Sequence, residues 1–362
     1  MSQVLNLIER YIAEGHFAGA AVIAAHNNRI VIEHYAGHAS PQLPSSATVL
    51  WPIASISKLY SVAMVMRLVE QGSLTLNTLA CHVLPNFTGE GREEIRLRHL
   101  LTHTSGLIYE SPEMEARLAA QTPMSALIDE ALTAPLLFKP GTSISYADYN
   151  TLIAGHMAET VTGKSFAELV RELVIEPMGL GDTFMPPPAH EHKRIARVRG
   201  VMAEDTAGAM YNSPYALGLG HPAFGTVTTA RDLLRFAQHF APRNGGGGPR
   251  IHTEATLRAM TTDQAGGVRG PHISLSGTAP DARMPWGLGF FLQTADVPAV
   301  ICDLASNKTF GHGGASGCWL AIDPENDLIV AVLSNTHVRL GREAWYRRLQ
   351  SLVNVCFVEA IC

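Results

Sequence analysis

Three short stretches carry side chains that could act on a carbonyl carbon. The first is Ser55-Ile56-Ser57-Lys58, placed where the loop WPIA enters an apolar helical pattern. A serine and a lysine three residues apart on a helix point the same way. A helix start and burial both disfavour an ammonium ion, so Lys58 becomes able to accept the Ser55 proton. The Ser55 N–H, unpaired at the helix start, is an oxyanion donor. The plainer reading is that Ser55 caps the helix and Lys58 snorkels to solvent. The second stretch is PGTSISYADYN, where Tyr146 is a proton relay if its phenol lies near a cation. The third, Phe310-Gly311-His312-Gly313-Gly314-Ala315-Ser316-Gly317, lets backbone pass close to a ligand before a strand begins. Its plainer reading is a turn.

The flanking pattern says what must hold these stretches. Ser2 caps a helix whose apolar face is Val4, Leu5, Ile8, Tyr11 and Ile12, and Gly15 ends it. AGAAVIAAHNNRIVIEHYAG reads as a hairpin turning at Asn27-Asn28. Residues 55–70 are apolar nearly all round, which predicts a deeply buried helix. Helical patterns follow at 123–134, 149–161 and 166–175, the last opened by a Ser165/Glu168 capping box. Thr229 and Asp232 open another helix near 230–241, and RNGGGGPR (243–250) reads as a flexible surface loop. WGLGFFLQ, CWLAIDP and LIVAVLSN read as strands, and a helix near 341–360 follows. Strand signals at both ends with helical signals between them predict an α/β (α+β) fold. In it an antiparallel β-sheet is flanked by helices, with residues 1–72 and 221–362 forming one domain and a mostly helical 73–220 inserted.

Composition narrows the function. The 362 residues are 46% hydrophobic and 16% charged, which excludes a disordered chain. A net charge of −5 with no polybasic run argues against nucleic acid and anionic membrane as partners. No apolar run is long enough to span a bilayer. MSQVLNLIERYIAEG lacks the features of a secretory signal, so the expectation is a cytoplasmic protein. Five cysteines without a C-x-x-C pair suit reduced thiols, although Cys302 and Cys318 could pair across strands if oxidised. His99 and His103 have metal-compatible i,i+4 spacing, but no Glu-x-x-His completes a site, and neither metal nor other cofactor is expected. No Gly-x-Ser-x-Gly elbow is present. No feature specifies an oligomeric state.

Taken together, the three stretches resemble the serine β-lactamase and penicillin-binding-protein superfamily, most of all its class C β-lactamase-like branch with the family VIII carboxylesterases. The resemblance also rests on LRHLLTHTSGL (97–107), FKPGTSISYADYNTLIAGHMAETVTGKSF (138–166), EPMGLGDTF (176–184), GHPAFGTVTTARDLLRF (220–236), WGLGF (286–290) and VLSNT (332–336), in that order along the chain. It implies a β-lactamase/transpeptidase-like fold, with Ser55 as nucleophile, Lys58 as its base partner and Tyr146 as the catalytic tyrosine. It implies an oxyanion hole from the N–H groups of Ser55 and Ala315. His312, Gly313, Gly314 and Asp148 would then lie along the substrate.

Two departures shape the expected function. Asp148 stands where the branch has asparagine. A carboxylate beside Lys58 would hold its proton, so the reading favours Asp148 as a cap on the following helix, turned away. His312 replaces the cationic lysine of the third motif, and a neutral imidazole would not hold a penicillin-like carboxylate. The expected activity is acyl transfer from a small ester or amide, of carboxylesterase or transacylase type. A β-lactamase or D-Ala-type peptidase, and a non-catalytic binding protein on the same scaffold, are the alternatives. Tyr109, Tyr211, Tyr215 and Trp286 are candidates for an apolar pocket wall.

Overall fold

The computed structural model describes residues 2–241, 249–274, 277–297 and 301–361. The chain opens with helix α1 (Gln3–Ala13), strands β1 (Gly19–His26), β2 (Arg29–Ser40) and β3 (Leu43–Pro44), then helix α2 (Ser57–Glu70). Helices α3 (Asp148–Thr162) and α4 (Ala230–Gln238) follow, and short helices fill much of the stretch between α2 and α3. Strands β4 (Phe291–Leu292), β5 (Phe310–Gly314), β6 (Cys318–Asp323) and β7 (Leu328–Ser334) precede the last helix, α5 (Arg342–Ile361).

The seven strands form one antiparallel sheet in the order β3-β2-β1-β7-β6-β5-β4. Asn27 and Asn28 both adopt left-handed geometry (φ 49° and 60°), which suits the tight turn between β1 and β2. β1 lies between β2 and β7 and is buried on both faces, which is why its sequence is apolar without alternation. Val22, Ala24, Trp319, Val330 and Val332 face α1 and α5. Ile23, Leu320, Ile322, Ala331 and Leu333 face the core that contains α2, α3 and α4. The period of two in each strand thus feeds two apolar layers.

Local signals set the helix ends. The Ser2 hydroxyl accepts from Leu5 N (3.2 Å), and Thr229 Oγ1 accepts from Asp232 N (3.3 Å). The Ser165/Glu168 capping box is formed. Every residue of α2 from Ser57 to Met66 is buried, and Tyr60 stacks on Phe236 at 3.9 Å. WGLGFFLQ contributes only two residues to the sheet. Gly289 takes φ 90°, and Gly287 N donates to Phe290 O (3.0 Å), so the chain turns before Phe291. Cys302 and Cys318 are free buried thiols in different core layers, so the conditional cross-strand pairing is not made. Residues 242–248 of the glycine-rich segment lie outside the described residues. Among the described residues, no helix is long and apolar enough to cross a membrane.

Candidate active site

Ser55 sits on a forced turn. The chain leaves the short strand Trp51–Pro52 and passes through Ala54 at φ 46°, a left-handed conformation that costs an L-residue about 1–2 kcal/mol. Packing holds it there: Ile53, Ala54 and Ile56 have no exposed surface, and Ile53 N donates to Thr226 O (3.1 Å). One turn of 3₁₀ helix, Ala54–Ile56, carries Ser55 into α2. The N-cap position of α2 belongs to Ile56 and has no side-chain cap, so the Ser55 hydroxyl is not spent on capping.

Lys58 does not snorkel; it is 1% exposed. Its ammonium has three acceptors: Ser55 Oγ at 3.1 Å, Ala223 O at 3.2 Å and Asp148 Oδ1 at 2.7 Å. Burial lowers the Lys58 pKa, while the Asp148 charge and hydrogen bond, and then Glu110, pull it back up. Ala223 is held in place by its neighbours. Ser61 Oγ donates to Pro222 O (2.6 Å), Thr226 N donates to Ser57 Oγ (3.0 Å), and the His221 ring stacks on Phe224 at 3.9 Å.

The expectation for Asp148 is corrected. It is the first residue of α3, the N-cap position is Ala147 with no side-chain cap, and the carboxylate turns inward onto Lys58. The reason is electrostatic: a buried ammonium without a counter-charge costs several kcal/mol, far more than a cap supplies. Burial raises the Asp148 pKa, and Lys58 opposes that rise.

Tyr146 lies over the same cation, with Lys58 Nζ 4.7 Å from its ring centroid. Its hydroxyl is buried without a formed hydrogen bond. Burial and then Asp148 push the phenol well above its usual pKa, against a pull from the Ser55 hydroxyl, so the proton stays on Tyr146. The LLTHTSG segment positions this tyrosine. His103 Nδ1 accepts from Ala147 N (3.1 Å) and from Asn150 Nδ2 (2.9 Å), and Ser105 Oγ donates to Asn150 Oδ1 (2.5 Å). The His103 ring packs 4.6 Å from Tyr146. His99 serves elsewhere, its Nδ1 accepting from Arg96 N (3.2 Å).

β5 closes the other side. A Cβ on Gly314 would overlap the Ile53 carbonyl oxygen, and one on Gly313 would stand 2.6 Å from the Trp319 ring. Glycine at 314 therefore lets the strand touch the Ser55 turn, and Ala315, next in the chain, packs in the same cluster as Ala54. His312 is 1% exposed. Its Nδ1 lies 2.7 Å from Gly313 O, and a carbonyl only accepts, so Nδ1 carries the proton. Nε2 then presents a lone pair, buried and unpartnered. Burial and Lys58 lower the His312 pKa to about 3, so the ring is neutral.

The candidate wall assembles in part. Trp286 and Tyr109 stand 5.8 and 6.0 Å from Tyr146, with Tyr109 partly exposed. Tyr211 is buried against Phe224 and His337. Tyr215 is tied down separately by its hydroxyl to Thr122 O (2.6 Å). Sequence reasoning missed Glu110. The Tyr109 carbonyl accepts from Asp148 N (2.7 Å), which joins the Tyr109-Glu110 backbone to the start of α3. Glu110 Oε2 is buried without a hydrogen bond, and burial followed by Asp148 raises its pKa to about 8. The contact spans the short helices Met114–Ala119 and Met124–Leu132, and no local pattern announces it. The one hint was a carboxylate soon after the LLTHTSGL segment, beyond Ile108 and Tyr109.

The Ser55 hydroxyl, the buried Lys58 side chain, the protonated Tyr146 phenol and the glycines of β5 therefore lie together. Known proteins show the same framework. A structure described as EstCE1, a hydrolase with promiscuous acyltransferase activity, superposes with a TM-score of 0.77 at 23% identity, covering 97% of each chain. A family VIII carboxylesterase gives a TM-score of 0.73 at 24% identity, covering 98% of this chain and 96% of that one. Penicillin-binding protein 4 of Amycolatopsis lactamdurans is 27% identical over 290 residues, 78% of this chain and 71% of that protein. The family model for Beta-lactamase matches residues 4–353, and the chain accordingly belongs to the Beta-lactamase family, whose fold is that of serine acyl-transfer hydrolases.

Proposed function

We propose that this protein is a serine enzyme of carboxylesterase or transacylase type, working through an acyl-enzyme on Ser55 with a small ester or amide. The observation that carries the reading is the contact of Lys58 Nζ with Ser55 Oγ at 3.1 Å, in a site from which water is largely excluded. Burial drives Lys58 to release its proton to solvent, against the pull of the Asp148 charge, and leaves a neutral amine beside Ser55. The amine takes the Ser55 proton as Oγ bonds to the carbonyl carbon. The N–H groups of Ser55 and Ala315 hold the resulting oxyanion. Tyr146 gives its proton to the leaving oxygen or nitrogen as that bond breaks, and Lys58 returns a proton to Tyr146. Water, an alcohol or an amine then enters by the reverse sequence and frees Ser55.

The neutral His312 ring supports an ester or unstrained amide over a penicillin-like substrate, because it supplies no cation for a carboxylate. The test is Ser55→Ala, read on p-nitrophenyl esters and by intact mass after a fluorophosphonate. Turnover should fall by about 10⁴-fold or more, with the labelled serine lost and the melting temperature retained. Unchanged turnover sinks the nucleophile assignment. Nitrocefin hydrolysis well above background would favour the β-lactamase reading instead.

A further inference from the structure

Resting on the Ser55 reading, we propose that His103, Asn150 and Ser105 form a positioning relay that aims the Tyr146 phenol at the leaving group, with Ser105 and Asn150 acting through His103 rather than on the substrate. The Tyr146 hydroxyl makes no formed hydrogen bond, and Lys58 meets the face of its ring, with Nζ 4.7 Å from the centroid. The direction of the phenol is therefore set from its backbone and its ring. Both chain neighbours of Tyr146 are tied to one residue. Ser145 N donates to the His103 carbonyl (2.9 Å), and Ala147 N donates to His103 Nδ1 (3.1 Å). His103 is buried and takes φ 57°, a left-handed conformation that few non-glycine residues adopt. Its ring packs on Tyr146 (4.6 Å, tilted by 37°) and meets Trp286 edge-on (4.6 Å, 85°).

The sense of each bond in the relay follows from the backbone. An amide N–H only donates, so His103 Nδ1 accepts from Ala147 and the ring proton sits on Nε2. Asn150 then turns its NH₂ group to Nδ1 (2.9 Å), which leaves its Oδ1 to accept from Ser105 Oγ (2.5 Å). Ser105 Oγ in turn accepts from Leu107 N (3.1 Å), a second donor fixed by the backbone. Ser105 and Asn150 have no exposed surface, so water does not replace a partner that either one loses. Burial and then the Lys58 charge hold the His103 pKa well below its usual value, which keeps the ring in the neutral form that the relay uses. The consequence falls on one proton. A leaving alkoxide needs the Tyr146 proton as its bond breaks, whereas p-nitrophenolate departs as the anion. A misaimed Tyr146 therefore slows an alkyl ester far more than a p-nitrophenyl ester, and a general loosening of the site slows both alike.

The experiment uses two esters of one acyl group, ethyl butyrate followed by pH-stat and p-nitrophenyl butyrate followed by absorbance. The ratio of their kcat/KM values, ethyl over p-nitrophenyl, is compared between the unsubstituted protein, Asn150→Leu and Ser105→Ala, so the intrinsic reactivity of the esters cancels. Proton transfer by a placed side chain contributes about 10²–10⁴-fold, so the ratio should fall at least about tenfold in Asn150→Leu, which removes both side-chain bonds of the relay. It should fall in the same direction, by less, in Ser105→Ala. Equal loss on the two esters marks a merely structural role and overturns the proposal, as does an unchanged ratio. A second measurement needs no variant. In the unsubstituted protein with ¹⁵N-labelled histidine, His103, assigned through its contact with the Tyr146 ring, should stand at pH 7 as the neutral Nε2–H tautomer. A proton on Nδ1, or a charged ring, overturns the relay. If Ser55→Ala retains turnover of p-nitrophenyl butyrate, the acyl-enzyme reading itself has failed, an outcome separate from any change in the ratio.

Discussion

Replacing Asp148 by asparagine removes a charge while keeping an acceptor oxygen beside Lys58. At the observed 2.7 Å, two unit charges attract by about 6 kcal/mol with an effective dielectric constant of about 20. The pair is almost fully buried, so solvent screens little of this. In Asp148→Asn that attraction is gone and the desolvation of Lys58 remains, so its proton leaves at lower pH. If Lys58 acts as the neutral base, the acidic limb of the kcat/KM profile moves to lower pH. Only about 1.4 kcal/mol of the lost attraction is needed to raise the neutral fraction tenfold. The assay is p-nitrophenyl ester hydrolysis from pH 5 to 9, with fluorophosphonate labelling of Ser55 as an independent readout. Relative to the rate at pH 8, the rate at pH 6 should rise at least about tenfold over the unsubstituted protein. An acidic limb that stays in place, or moves to higher pH, refutes the role given to Lys58.

Two further outcomes follow from packing and titration. Gly314→Ala pushes a methyl group into the Ile53 carbonyl. It should destabilise the fold by about 1–3 kcal/mol in urea unfolding and lower kcat by about 100-fold, because the Ser55 turn must shift; retained kcat would show that the strand and the turn are not coupled. His337 is buried, accepts from Arg339 N at Nδ1 (3.2 Å), and has its pKa lowered to about 4 by burial and Arg339. The unfolded chain binds this proton near pH 6.5 and the folded chain does not, so the histidine's contribution to stability is lost as pH falls. His337→Asn keeps the acceptor, and its stability should gain on the unsubstituted protein by about 3 kcal/mol between pH 6.5 and 4; no gain would mean that His337 charges freely in the folded state.

The sequence was most informative where a local rule decides the structure. The Asn27-Asn28 turn, the Ser165/Glu168 box and the all-round apolar α2 are set by neighbours a few residues apart, and each forms as expected. The meeting of Ser55, Lys58 and Tyr146 followed from motif resemblance rather than from spacing. The reading failed where a long-range charge outweighed a local preference. Asp148 opens α3, where a local rule favours an acidic residue turned to the helix end, yet a buried ammonium in another helix claims its carboxylate. Glu110 was invisible for the same reason, since its significance arises only when the Tyr109 carbonyl meets α3. The glycines of WGLGF supplied a turn where apolar content suggested a continuous strand.

The placement of β1 between β2 and β7 sets an order of events during synthesis. β1 leaves the ribosome well before its partner in β7. Until then a fully apolar strand has one unpaired edge, the kind of segment that chaperones shield and that aggregates when left alone. The same delay governs the chemistry. A chain ending before residue 310 already holds Ser55, Lys58, Tyr146 and Asp148, but it lacks the β5 glycine that abuts the Ser55 turn and the Ala315 N–H assigned to the oxyanion. The oxyanion arrangement proposed for Ser55 therefore assembles only after β5 and Ala315 have been made.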